Sequence, residues 1–213
     1  MIQGRRPCMT AAAATLLDFL TLSEALKREL RHSWLSDGRQ ESVAEHSWQM
    51  ALFAILAHPH LEEPVDLGKT LEMITVHDLV EALVGDVPYF ETGERKRLKK
   101  QREAEAIEDI RTRLGPPTGD RVRDLFLEFE DRQTPEARFA GAIDNLEVQI
   151  QHNLADFSTW TEAEYGLIYD KLDTPCAHDP FLKALAESVR QRALAKMRAG
   201  GVEVLCTHWG PVI

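Results

Sequence analysis

Residues 66–86, DLGKTLEMITVHDLVEALVGD, constrain the fold more than any other stretch of the chain. Asp66 suits a helix N-cap, no proline follows it, and Gly85 sits where a C′ residue would end a helix. The stretch therefore predicts one continuous helix. On its wheel Met73, Val76, Val80, Leu83 and Val84 form a broad apolar face, while His77, Asp78 and Glu81 share a different sector about 100° wide around Ile74. Three titratable side chains on one side of a largely apolar helix either form a solvated stripe or face inward as a site, since burying them without partners is costly. The apolar neighbours Leu71, Ile74 and Ala82 favour the site.

The remaining chain reads as helix after helix. Residues 10–30 predict a first helix with Leu16, Leu17, Leu20, Leu26 and Leu30 on its apolar face, followed by a turn at Asp37-Gly38. Ser42 and Glu45 make a capping box, and the helix behind it places His46 with Val43, Met50, Phe53, Ala54 and Ala57. Residues 94–114 are charge-dense and helix-prone up to Gly115-Pro116-Pro117, and residues 120–131 predict a short amphipathic helix. Thr134-Pro135 opens a helix lasting to about Asn153, Thr161 and Glu164 form another capping box, and Asp179-Pro180 starts a helix that Gly200-Gly201 stops. No segment alternates with period two for long enough to demand a sheet. The expectation is an all-α single domain, a helical bundle over residues 10–200, with a disordered extension at residues 1–9 and an unassigned tail at residues 201–213.

A chain of 213 residues can bury a sizeable core, and its 44% apolar and 28% charged content is that of a globular protein. With 35 acidic against 25 basic residues, it does not predict a surface that coats nucleic acid. Cys8, Cys176 and Cys206 form no paired motif, which fits a reducing cytoplasm and offers no cysteine zinc site. No stretch is apolar and long enough to predict a membrane span.

The chemistry lies in residues that are far apart in sequence. His46 stands in ESVAEHSW, His77-Asp78 in HDLVEALVGD, and Asp144 in TPEARFAGAIDNLE. Two imidazoles and two carboxylates make a mixed nitrogen–oxygen set suited to Co, Mn, Ni, Fe or Zn rather than calcium, with positions left for water and substrate. Read singly, each has a plainer alternative. His46 could be a hydrogen-bonded core histidine and Glu81 a surface glutamate. Asp86 could be a turn residue. Asp144 falls off the apolar stripe of its helix and could be either a ligand or a solvent-facing carboxylate.

Taken together, these motifs closely resemble the HD-domain metal-dependent phosphohydrolases, and within them the branch containing bacterial 5′-deoxynucleotidases. The resemblance covers roughly residues 17–153 and includes a Glu four residues and an Asp nine residues after the second histidine. It implies that His46, His77, Asp78 and Asp144 ligate one divalent transition metal and that Glu81 and Asp86 are the catalytic carboxylates. It also implies an arginine that grips phosphate, best matched by Arg31, and an aromatic that stacks on the base, matched by Trp34. Arg31 alone could equally be a cation complementing a helix C-terminus. The resemblance further implies a small-molecule nucleotide substrate and a homodimer. The function expected is removal of the 5′-phosphate from (deoxy)nucleoside monophosphates. The alternatives are hydrolysis of another phosphate ester, such as a nucleotide pyrophosphate or phosphodiester, or a metal-stabilised scaffold without catalysis.

Overall fold

The structure is a computed structural model that describes residues 9–203. Most of the expected extension and tail, with Cys8, Cys206 and His208, lies outside the described residues. In chain order the elements are α1 (Met9–Ser23), a 3-10 turn (Glu24–Lys27), β1 (Leu30–Trp34), β2 (Gln40–Ser42), α2 (Val43–Ala57), α3 (Leu67–Val76) and α4 (Glu81–Val84). Then follow α5 (Glu94–Leu114), α6 (Thr118–Asp131), α7 (Pro135–Leu154), α8 (Leu167–Cys176) and α9 (Pro180–Ala199). The class is all-α, with one small two-stranded antiparallel sheet.

Local signals place most helix ends. The Ser42 side chain accepts from the Glu45 amide while Glu45 reaches back to the Ser42 amide, completing the capping box of α2. Thr134 caps α7 with Pro135 at its first position, and Asp179 caps α9 by accepting from the amides of Phe181 and Leu182. Gly115, at φ 65°, closes α5.

Helix α7 runs through the centre of the fold. It touches α2, α3, α6, α8, α9 and β1, and its Phe139, Ile143 and Leu146 are fully buried. The small residues Ala137, Ala140 and Ala142 let these neighbours approach closely. They help build the larger core, with Met50 and Ala54 of α2, Met73 and Ile74 of α3, and Leu182 of α9. A second cluster joins Leu79 and Val80 to Ile107 and Ile110 of α5 and to Phe126 of α6.

The structure corrects three expectations. The helix predicted over residues 66–86 breaks after Val76. Asp66 does cap it, but His77 Nδ1 lies 2.8 Å from the Ile74 carbonyl, and the next amides bond three residues back, Leu79 to Val76 and Glu81 to Asp78. This tight turn separates α3 from the single turn of α4. Second, residues 30–34 are strand, and the expected first helix stops at Ser23. The Asp37-Gly38 turn, with Gly38 at φ 88°, closes a hairpin through Leu35 N to Arg39 O at 2.7 Å. Strands of five and three residues are too short to show alternation in sequence.

Third, Leu16, Leu17 and Leu20 are each at least half exposed, because α1 packs chiefly on α5 and contributes Phe19 instead. The Thr161–Glu164 capping box forms as expected; it opens a 3-10 turn, with α8 behind it.

Candidate metal centre and substrate pocket

Three elements bring the four expected ligands to one point. His46, one turn into α2, is fully buried; its Nε2 lies 3.4 Å from Asp144 Oδ1 on α7 and 3.9 Å from Asp78 Oδ2. His77 ends α3, with Nε2 3.1 Å from Asp78 Oδ2. Asp78 follows directly in the turn after α3, so the two side chains enter the cluster from adjacent positions.

Each imidazole has one nitrogen engaged and one bare. His46 Nδ1 is 2.5 Å from Glu147 Oε2, and His77 Nδ1 donates to the Ile74 carbonyl. Both Nε2 atoms are buried without a hydrogen-bond partner. An Nδ1 proton held by an outer acceptor leaves the Nε2 lone pair directed into the cluster, the arrangement of metal-ligating histidines. His46, His77 and Asp144 place their ligand atoms within 4.8 Å of one another. The residues present therefore fit a divalent metal, and they fit it through atoms that otherwise stand unsatisfied.

The electrostatics say the same. Burial and the Arg31 charge work against a proton on His46, yet Glu147 and Asp144 outweigh them and push its imidazole up to about 10. Against the cost of burial, contact with His46 and the charge of His77 pull Asp144 down to about 2. Asp78 is held far below the usual carboxylate range by His77 and Arg31, again against burial. The cluster thus demands positive charge at its centre. Arg31 Nη1 donates to Asp78 Oδ2 at 3.2 Å, and Arg132 Nη2 stands 3.6 Å from Asp144 Oδ2. Arg132 reaches there because it closes α6 in a left-handed conformation, φ 54°, which lays its guanidinium over the Phe129 ring at 3.6 Å.

Above the cluster opens a cavity of about 240 Å³. Arg31, Asp78, Asp86 and Asp144 line it, so four of the eight expected site residues meet in one pocket. His46 and His77 are buried beneath it, as is Glu81. Burial together with the charges of Asp78 and Asp86 pushes the Glu81 carboxyl up to about 10. Trp34 does not line the cavity. It pairs with Gln40 beside the hairpin turn, its ring meets His32 edge-on at 4.6 Å, and its carbonyl accepts from Gln151 at 2.6 Å. The aromatic rings facing the cavity are His32, Tyr89, Phe90 and His152. His58 and His178 bond backbone carbonyls elsewhere, and His60 stacks on Phe181.

Several residues that touch the cluster or line the cavity escaped sequence reasoning. Glu147 lies three positions after Asp144 on the same helix, so its spacing was a usable signal. Glu41 is buried, faces Arg31 Nε at 3.5 Å, and is pushed up to about 7 by burial and the Glu147 charge. Lys96 and Lys99 belong to the charge-dense run of residues 94–114, yet both line the cavity, as does Lys171 of the unforeseen α8.

A family model described as HD domain matches residues 23–176. A 5′-deoxynucleotidase of Schizosaccharomyces pombe is 31% identical over 147 residues, covering 66% of this chain and 72% of that protein. A 5′-deoxynucleotidase of Danio rerio is 26% identical over 199 residues, covering 87% of this chain and 92% of that one. Among solved structures, a protein of Magnetospirillum magnetotacticum described as a metal-dependent phosphohydrolase superposes with a TM-score of 0.75. It is 29% identical, and the match covers 91% of this chain and 96% of that chain.

Proposed function

The chain belongs to the HD domain family, and on that premise we propose that it is a phosphoric monoester hydrolase removing the 5′-phosphate of deoxynucleoside monophosphates. The observation that carries the reading is the pair of bare, buried Nε2 atoms of His46 and His77 facing Asp78 and Asp144 at the floor of a cavity lined by cations. These four residues would hold one divalent transition metal of the Co, Mn, Ni, Fe or Zn group. When bound, such an ion supplies a water of lowered pKa and neutralises phosphate oxygens.

The chain's own groups divide the remaining work. Arg31 presents a guanidinium at the cavity wall, already oriented by Asp78 and Glu41, for the phosphoryl oxygens. Lys99 lines the same cavity, and against the cost of burial Glu103, with Asp78 and Asp86, favours its charged form. Glu81, kept protonated by burial, is the group suited to give a proton to the leaving 5′-oxygen. Asp86 faces the cavity, its amide anchored on Glu29 at 2.9 Å, and is placed to orient water. Phe90 and His32 offer rings to the base, with Trp34 bracing His32 from behind.

We further propose a cytoplasmic homodimer. The free, buried Cys176 suits a reducing compartment, and among the described residues no helix is long and apolar enough to cross a membrane. On α2, Trp48, Leu52, Ile55 and Leu56 are exposed along the outer face, an apolar stripe that a second copy would cover.

The test is phosphate release from ribo- and deoxynucleoside 5′-monophosphates by metal-stripped protein resupplied separately with Co, Mn, Ni, Zn and Mg. Release that vanishes in Glu81→Ala, with metal still bound, is expected. No release with any metal overturns the substrate assignment.

A further inference from the structure

The cavity carries more positive charge than one phosphate engages. Arg31 is paired with Asp78 and Glu41, and Lys99 with Glu103 at 3.4 Å. Lys96 of α5 and Lys171 of α8 have no carboxylate partner within 4 Å among the described residues, although both line the cavity. The two helices deliver these ammonium groups to one ring. Lys171 Nζ stands 3.4 Å from the centroid of Tyr89 and Lys96 Nζ 4.9 Å, and Lys96 also donates to the Pro88 carbonyl at 3.3 Å.

Packing alone does not account for this arrangement. An ammonium over a ring gains about 0.5–1 kcal/mol at an exposed site, and two like charges sharing one ring lose part of that gain to mutual repulsion. Burial, with neighbouring cations, lowers both lysines below their ordinary range, against the pull of Asp86 and Glu91 on Lys96 and of Asp144 on Lys171. Tyr89 itself is mostly exposed, so the pair stands open to solute. Lys171 also feels the charge of Asp144, which sets this pair within electrostatic reach of the metal ligands.

We propose that Lys96 and Lys171 form a second phosphate-binding subsite beside Tyr89, so that the pocket accepts a nucleotide bearing two separate phosphate groups, of the nucleoside 3′,5′-bisphosphate class. Free inorganic phosphate presents the same chemistry and is the alternative source of that group. The inference rests on the nucleotidase reading for the placement of the 5′-phosphate, and binding measurements separate the two.

The experiment uses metal-loaded Glu81→Gln protein, in which turnover is suppressed, and titrates it with a deoxynucleoside 5′-monophosphate, the matching 3′,5′-bisphosphate and inorganic phosphate. The bisphosphate is expected to bind at least about tenfold more tightly than the monophosphate. That preference should fall to within about twofold when Lys96→Met and Lys171→Met are added, changes that keep the aliphatic stems against Tyr89. A melting curve establishes that this variant is folded. If the bisphosphate has no advantage but inorganic phosphate binds and is lost in the lysine variant, the subsite stands with free phosphate as its ligand. A bisphosphate preference that survives both substitutions, or no phosphate binding that depends on them, overturns the proposal. A lysine-dependent preference in a protein whose wild type releases no phosphate from monophosphates would refute the nucleotidase reading and leave the subsite intact.

Discussion

His46 Nδ1 and Glu147 Oε2 stand 2.5 Å apart across the α2–α7 contact, both residues fully buried. One carboxylate thereby decides which nitrogen of the imidazole is left bare. Replacing Glu147 by Gln keeps the volume but weakens that hold. The expected result is a metal affinity lower by about 10–100-fold with the fold retained, measured by competition against a chromogenic chelator. An unchanged affinity would mean that packing alone orients His46.

Metal removal should be legible as stability. An ion that binds only the folded chain stabilises it by about 2.7 kcal/mol at a hundred times its dissociation constant. For a chain of this length that corresponds to a rise in Tm of roughly 5–10 °C. Calorimetric scans of chelator-treated protein, with and without resupplied metal, give the value. A His46→Ala, Asp144→Ala protein should show no metal-dependent rise.

Glu41 supplies a pH signature. Its folded value of about 7 stands above the ordinary 4.5, so its contribution to stability is complete below pH 4.5 and disappears as pH rises through 7. Glu41→Gln is neutral throughout. Urea unfolding should find the variant close to wild type at pH 5 and more stable at pH 8, by on the order of 1–3 kcal/mol. A variant less stable at pH 8 would show that the Arg31 contact dominates instead.

Arg132 inverts the usual rule for glycine. Because it holds φ 54° at the end of α6, Arg132→Gly escapes a backbone cost that Arg132→Ala keeps. Both lose the contact with Phe129. Thermal unfolding should therefore place the Gly variant about 1 kcal/mol above the Ala variant. Equal stabilities would argue that the helix end relaxes once the side chain is gone.

What could be read in advance depended on how local each signal was. The capping pairs Ser42–Glu45 and Thr134-Pro135, and the stops at Gly115 and Gly200, act within a few residues, and the helices they bound formed where expected. His46, His77, Asp78 and Asp144 lie far apart in sequence, and only the resemblance to the HD-domain family, not a local signal, grouped them as one ligand set. The break at residues 77–80 was hidden because the apolar positions on either side continue one wheel, although Met73 and Val80 enter different clusters. Lys96 and Lys171 were illegible because nothing in either helix records that the other reaches the same ring. Trp34 was misleading because its distance from Arg31 along the chain does not reveal the hairpin between them and the helices.

The break after Val76 also sets an order of failure on warming. The helices bearing His46, His77 and Asp144 are fastened to the core around α7, whereas the turn leading to Glu81, and Lys96 and Lys99 on α5, are fastened to the cluster of Leu79, Val80, Ile107 and Ile110. The second anchorage buries fewer side chains and has a largely polar helix and the exposed α1 for its outer wall. Heat should therefore loosen the grip on nucleotide while the ion is still held: a protein that goes quiet before it comes apart.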